Sequence, residues 1–336
     1  MAAGALAQTP GDPRAGWRER RAGRVMDPTQ HFFQSQRLRL SYWSWGPVAD
    51  PGEESQPPLV LVHGGRDHAR SWDAVAEAFR GDYHVAGYDL RGHGDSEWAA
   101  GSHYSVGDHL LDLIAFVDVL GGRASVIGHS FGGLLVTLAA GLFPERFERV
   151  VAIEGSGARI HRRRDATPAA LREWVERTRG YERRMPRVYP SVEAAAERMR
   201  QVNPRLSREL SVHLARHATR PAAEPAAARH GGEGGYIWKF DNWVDARPPV
   251  ELRPEEAEAI WAEVRVPVLL LIGADSHQRG HQDPEDAGFF ADGRALVIER
   301  AGHWPHHDRT ALVVDLIGRF LSGGEPALPP ETGHAS

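Results

Sequence analysis

Short, continuous apolar runs recur along this chain, and each stops at a cluster of turn residues. Pro58–Val62 leads into His63-Gly64-Gly65, and Tyr83–Leu90 into Arg91-Gly92-His93-Gly94. Ala124–Gly128 leads into His129-Ser130, and Val150–Ile153 into Glu154-Gly155. Val266–Ile272 leads into Gly273-Ala274-Asp275, and Ala295–Ile298 precedes Ala301-Gly302-His303. Unbroken runs of this length fit strands buried on both faces of a parallel sheet, not strands with one wet face. Helix-like segments separate them: Ser71–Phe79, Val106–Leu120, Phe131–Phe143 and Thr310–Leu321. Val106, Leu110, Leu111, Ile114, Val117 and Leu120 fall at helical spacing, which gives that segment one face to lay on the sheet. The alternation predicts an α/β protein with a mostly parallel open sheet flanked by helices.

The pattern breaks between Gly155 and about Val264. That stretch is rich in arginine and proline, with amphipathic segments at Ala169–Gly180, Ser191–Gln201, Ser207–His217 and Pro254–Val264. Ser191 and Ser207 suit N-caps, and Pro254 suits a first helical turn. The expected organisation is a disordered extension over 1–25 and a core over 26–155. A helical cap insertion follows over 156–264, then the rest of the core over 265–322 and a disordered tail over 323–336. Met1 and Met26 both remain candidate starts, because Met26 directly precedes the first segment with folded character.

Composition removes whole classes of chemistry. There is no cysteine, so disulfides, cysteine-ligated metals and thiol catalysis are excluded. The formal net charge of −5 argues against non-specific binding to nucleic acid or an anionic membrane. No apolar run approaches the roughly 20 residues that span a bilayer. Residues 1–25 lack the apolar segment of a secretory signal, and the expected location is the cytoplasm. Of the 40 basic side chains only Lys239 is a lysine. The arginines of 156–220 fit a solvated face, with a pocket for an anionic substrate as the alternative.

Gly128-His129-Ser130-Phe131-Gly132-Gly133 carries the strongest chemical signal. It follows an apolar strand and opens a helix. A strained strand-to-helix turn there projects the Ser130 hydroxyl from the sheet edge, with small residues needed where backbones pass closely. The Phe131 N–H would point to the same spot and share the positive end of the helix.

With these residues in order, the chain resembles the serine-nucleophile branch of the α/β-hydrolase fold family that bears a helical cap, which includes esterases, lactonases and carbon–carbon bond hydrolases. The resemblance covers roughly 30–322 and rests on HGG, DLRGHGDS, GHSFGG and AGH in that order. It implies Ser130 as nucleophile, His303 as base, and an oxyanion hole from the Gly65 and Phe131 N–H groups. Two carboxylates compete for the acid: Glu154 at the end of VVAIEG, and Asp275 after VPVLLLIGA, where only Ala274 separates it from Gly273 and Ser276 takes the usual aspartate position. His93 reads as structural. His303, His306, His307 and Asp308 form a possible metal cluster but lack a zinc-type spacing such as H-E-x-x-H, so no metal and no cofactor are expected.

A serine, not a carboxylate, at the elbow favours acyl chemistry over dehalogenation or epoxide opening. The expected substrate is a small acyl compound: an ester, lactone or thioester. Acyl transfer, or a non-catalytic receptor on the same scaffold, stays open, as does oligomeric state. Trp238 and Phe240, with Tyr236 and Trp243, form an aromatic cluster that either lines an acyl pocket or packs the cap.

Overall fold

The computed structural model describes residues 27–46, 57–101, 103–155, 167–181, 184–222, 234–246, 252–279 and 281–328. The expected 1–25 extension lies outside them, as do 329–336 of the tail and Gly231–Glu233 before the aromatic cluster.

Strands β1 (Thr29–Ser35), β2 (Leu38–Trp45), β3 (Leu59–Val62), β4 (Val85–Tyr88), β5 (Ala124–His129), β6 (Phe147–Ile153), β9 (Val268–Gly273) and β10 (Gly293–Ile298) form one eight-stranded sheet. Its order is β1-β2-β4-β3-β5-β6-β9-β10, parallel from β4 to β10, with the β1–β2 hairpin added antiparallel at one edge. Every residue of β3, β4, β5 and β9 is buried, as continuous apolar runs require. Side chains alternate between two cores. Val60 and Val62 join Phe116, Leu135 and Trp261 on one face; Leu59 and Leu61 join Trp72, Phe79 and Phe320 on the other.

Helices α2 (Val106–Val119) and α3 (Phe131–Leu142) cover the first face, and α1 (Asp73–Phe79) with α8 (Thr310–Leu321) the second. Helix α2 starts where Ser105 accepts the Asp108 N–H while the Asp108 carboxylate accepts the Ser105 N–H, a reciprocal cap that satisfies two orphan donors. The hairpin has no counterpart among the predicted strands. Its pattern alternates exposed and buried residues, and its two-residue turn uses Gln36 and Arg37, both at positive φ, in place of the usual Asn-Gly.

Between β6 and β9 the chain forms α4 (Pro168–Tyr181), α5 (Val192–Val202), α6 (Arg208–Ala218) and a two-stranded antiparallel ribbon, β7 (Thr219–Pro221) with β8 (Tyr236–Trp238). Ser191 and Ser207 do cap α5 and α6. This unit has a small core of its own around Tyr189, Ala195, Ala196 and Ala215. It sits against loops at the C-terminal ends of the strands. Tyr104 donates to Asp241 (2.5 Å), the Asp241 N–H donates to Gly92 O (2.7 Å), and Lys239 pairs with Asp95 (2.7 Å).

Helix α7 (Pro254–Trp261) behaves differently from the rest of the expected 156–264 insertion. Ala257, Trp261 and Val264 belong to the main core beside α3, and a Cβ on Gly141 would meet Ile260 O at 2.0 Å. The apolar face of α7 is therefore consumed by the sheet's helical layer, and the overlying unit ends before it. Residues 323–328 also keep contact with the body through Glu325 and Arg294 (3.1 Å). No helix among the described residues is long and apolar enough to cross a membrane.

The turn after β4 is held by a buried ion pair. Arg91 meets both carboxylate oxygens of Asp112 on α2, at 2.7 and 2.8 Å, and both side chains are almost fully buried. Arg91→Leu strands a buried carboxylate and should destabilise the protein by about 3–5 kcal/mol, while the Arg91→Leu/Asp112→Leu pair should recover much of that loss. Urea unfolding of the three proteins checks both expectations.

Candidate active site

The parallel strands all end on one edge, and the chain order reverses between β3 and β5, the switch point at which α/β sheets place their ligand sites. Ser130 stands at this point. It connects β5 directly to α3 with φ +52° and ψ −117°, a conformation that costs a non-glycine residue about 1–3 kcal/mol. The surroundings enforce it. The Ser130 N–H donates to Ile153 O at 2.8 Å, and a Cβ on Gly132 would lie 2.3 Å from Val62 O. The helix can follow the strand this abruptly only because its first turn slides backbone-to-backbone past β3.

Glu154 ends the neighbouring strand β6 and is also left-handed (φ +56°). Its N–H still pairs with Leu271 O at 2.9 Å, so the twist occurs at the last ladder bond and turns the side chain inward, where it is 1% exposed. A buried carboxylate needs donors, and this one has three. The Gly273 N–H donates to Oε1 at 2.6 Å, the Ser276 hydroxyl donates to Oε2, and His303 Nδ1 lies 2.9 Å from Oε2. His303 Nε2 lies 3.0 Å from Ser130 Oγ. One imidazole thus spans hydroxyl and carboxylate, with its proton held on Nδ1 and its lone pair directed at the serine.

Asp275 is not in this group. It is largely exposed and pairs with Arg205 at 2.8 Å, directed toward the overlying unit. Ser276, next to it, makes the contact with Glu154. With a carboxylate already supplied by β6, a second at position 276 would place two negative charges against one imidazole, whereas a hydroxyl adds a donor.

The sequence reading did not give His129 a role, and its position between glycine and serine was the available signal. Its Nε2–H donates to the His303 carbonyl at 2.7 Å, and burial holds its pKa well below the usual histidine range, so the ring is neutral. It therefore ties the elbow to the loop that carries His303. Gly65 lies in the exposed turn after β3, and Phe131 is the first residue of α3. That turn is fastened by two histidines: His63 Nε2 accepts the Leu90 N–H (3.0 Å), and His93 Nε2 accepts the Arg66 N–H (2.9 Å). Gly64 fits against Ser130, where a Cβ would come within 3.1 Å of the serine Cβ.

The other sequence candidates separate. Trp238 packs into the core of the overlying unit and donates to the Tyr189 hydroxyl at 3.1 Å. Phe240 stacks beside Trp238 and stands 6.0 Å from the Arg66 guanidinium, nearer the turn after β3. Among the described residues, His303, His306, His307 and Asp308 do not offer a shared set of metal-ligand atoms. His303 is engaged as described, His307 Nε2 meets Ser71 O (3.2 Å), and Asp308 accepts the Gly302 N–H (2.7 Å).

A family profile described as "Alpha/beta hydrolase family" matches residues 59–316. A serine hydrolase-like protein of Danio rerio is 24% identical over 303 residues, covering 87% of this chain and 87% of its own. A solved thioesterase domain from the curacin biosynthetic pathway superposes with a TM-score of 0.71 at 22% identity, over 87% of this chain and 99% of its own. The enol-lactonase of Burkholderia xenovorans LB400 superposes at 0.60 with 21% identity, over 87% and 100%.

Gly132→Ala tests the elbow's packing. The added methyl must push the helix off β3, and urea unfolding should report a loss of about 1–3 kcal/mol; an unchanged midpoint would mean the contact is slack.

Proposed function

The chain belongs to the alpha/beta hydrolase family, and from that footing we propose that it is a serine hydrolase that cleaves an ester, lactone, thioester or similar acyl bond through an acyl-enzyme. The single observation that carries this reading is the His303 ring, with Ser130 Oγ at 3.0 Å on one side and Glu154 Oε2 at 2.9 Å on the other.

In the first half-reaction Ser130 Oγ attacks the acyl carbon as its proton passes to His303 Nε2. The resulting imidazolium is stabilised by the Glu154 carboxylate, which keeps its own charge. The tetrahedral oxyanion is held by the Gly65 and Phe131 N–H groups, and donors of this kind lower a barrier by about 3 kcal/mol each. Collapse expels the alcohol or thiol, which takes the proton from Nε2. In the second half-reaction a water attacks the acyl carbon, loses its proton to His303, and regenerates Ser130 with release of the carboxylic acid. No cofactor enters either half. Glu154 fits the orienting role because its three donors fix it below the imidazole, while Asp275 spends its charge on Arg205. The acyl group would lie under the unit formed by α4–α6 and the β7–β8 ribbon, with Phe240 closer to it than Trp238.

A fluorophosphonate probe should label the wild type and leave Ser130→Ala unlabelled; labelling that persists in Ser130→Ala would overturn the assignment. Hydrolysis of p-nitrophenyl esters should fall by about 10⁴-fold in kcat for Glu154→Gln and stay near wild type for Asp275→Asn. The opposite ranking would transfer the acid role to Asp275.

A further inference from the structure

A second cluster of ionisable side chains lies where the overlying unit meets the second face of the sheet. Helix α6 carries His213 and His217 one turn apart, so both imidazoles leave the same side of the helix. That side faces the start of α1, where Asp73 is the first residue. His213 Nε2 lies 2.8 Å from Asp73 Oδ2, the two histidine rings are 4.9 Å apart, and the potential ligand atoms of all three residues fall within 4.8 Å of one another. All three are partly buried, with enough exposure for a solvated ion to reach them.

Asp73 has other partners. Arg70 Nε contacts its oxygens at 2.8 and 2.9 Å, and Trp45 Nε1 donates to Oδ1 at 3.0 Å. An ion-paired carboxylate accounts for Arg70, Trp45 and His213. It does not account for His217, a partly buried imidazole whose ring stands 4.9 Å from that of His213. His68 adds a third ring 6.3 Å from His217, and its Nδ1 has no hydrogen-bond partner among the described residues.

We propose that Asp73, His213 and His217 bind one divalent transition-metal ion of the zinc or cobalt type, which clamps α6 onto α1. Two imidazoles and one carboxylate favour such borderline ions over magnesium or calcium, which take oxygen ligands. Three protein ligands leave a fourth position for water. The carboxylate has lone pairs enough to serve the metal and Arg70 together. The proton balance is simple. The Nε2–H by which His213 now donates to Asp73 must leave that nitrogen, either moving to Nδ1 in the neutral ring or passing to buffer from the charged one. The ion adds a cross-link between the overlying unit and the sheet without touching Ser130, His303 or Glu154, so the site is independent of the proposed hydrolytic chemistry.

The test is titration of chelator-treated full-length protein with Co²⁺ followed by visible absorption, and with Zn²⁺ by calorimetry. The expected result is one equivalent bound, a Zn²⁺-dependent rise in Tm, and affinity weakened at least about tenfold in His213→Ala/His217→Ala. Equal binding by the double variant, or no saturable binding by the wild type, would overturn the site. If the double variant misfolds by far-UV circular dichroism, His217→Asn alone gives the same discrimination, because it leaves the Asp73–His213 contact in place.

Discussion

Everything at the strand ends depends on how closely β5, α3 and β3 pack. With Gly132 pressed against the Val62 carbonyl and the Ser130 N–H bound to Ile153 O, residue 130 has no relaxed conformation available. The strain is carried by the rest of the sheet, in which every residue of β3, β4, β5 and β9 is buried. A serine on a looser turn would have a mobile hydroxyl, and a partner imidazole could not be prepositioned to 3.0 Å of it.

A similar trade governs the charged groups. Glu154 is deeply buried, and a backbone N–H, a hydroxyl and an imidazole surround its carboxylate. Each donor comes from a different segment: β9, the loop after β9, and the loop after β10. The carboxylate therefore also fixes the relative positions of these segments. His129, His63 and His93 perform the matching task for the turns after β3, β4 and β10: His129 makes one backbone hydrogen bond, and His63 and His93 make two each.

The parallel strands were legible because burial on both faces leaves an unmistakable continuous apolar run, and the helices because their periodicity and caps agree. The β1–β2 hairpin was less so: an edge strand exposes half its residues, and Gln36-Arg37 is an unusual pair for its turn. For α7, an amphipathic pattern shows that a helix has an apolar face and not which body receives it. For the acid, the sequence offered Glu154 and Asp275 at equivalent-looking strand ends. The left-handed twist at 154, its contact with His303 and the Arg205 partner at 275 set them apart, and none of these is a property of local sequence. His213-x₃-His217 carries little signal by itself, because Asp73, which faces it, is 140 residues away from His213 in sequence.

Lys239 is the chain's one lysine. It lies just beyond β8, with its N–H bound to Ala218 O and its ammonium 2.7 Å from Asp95. A lysine-specific endoprotease thus has a single recognition point in the whole polypeptide, and the docked arrangement shields it. Scission there needs the segment around Lys239 to leave its contacts with Asp95 and Ala218, so under excess protease its rate reports how often that segment opens locally.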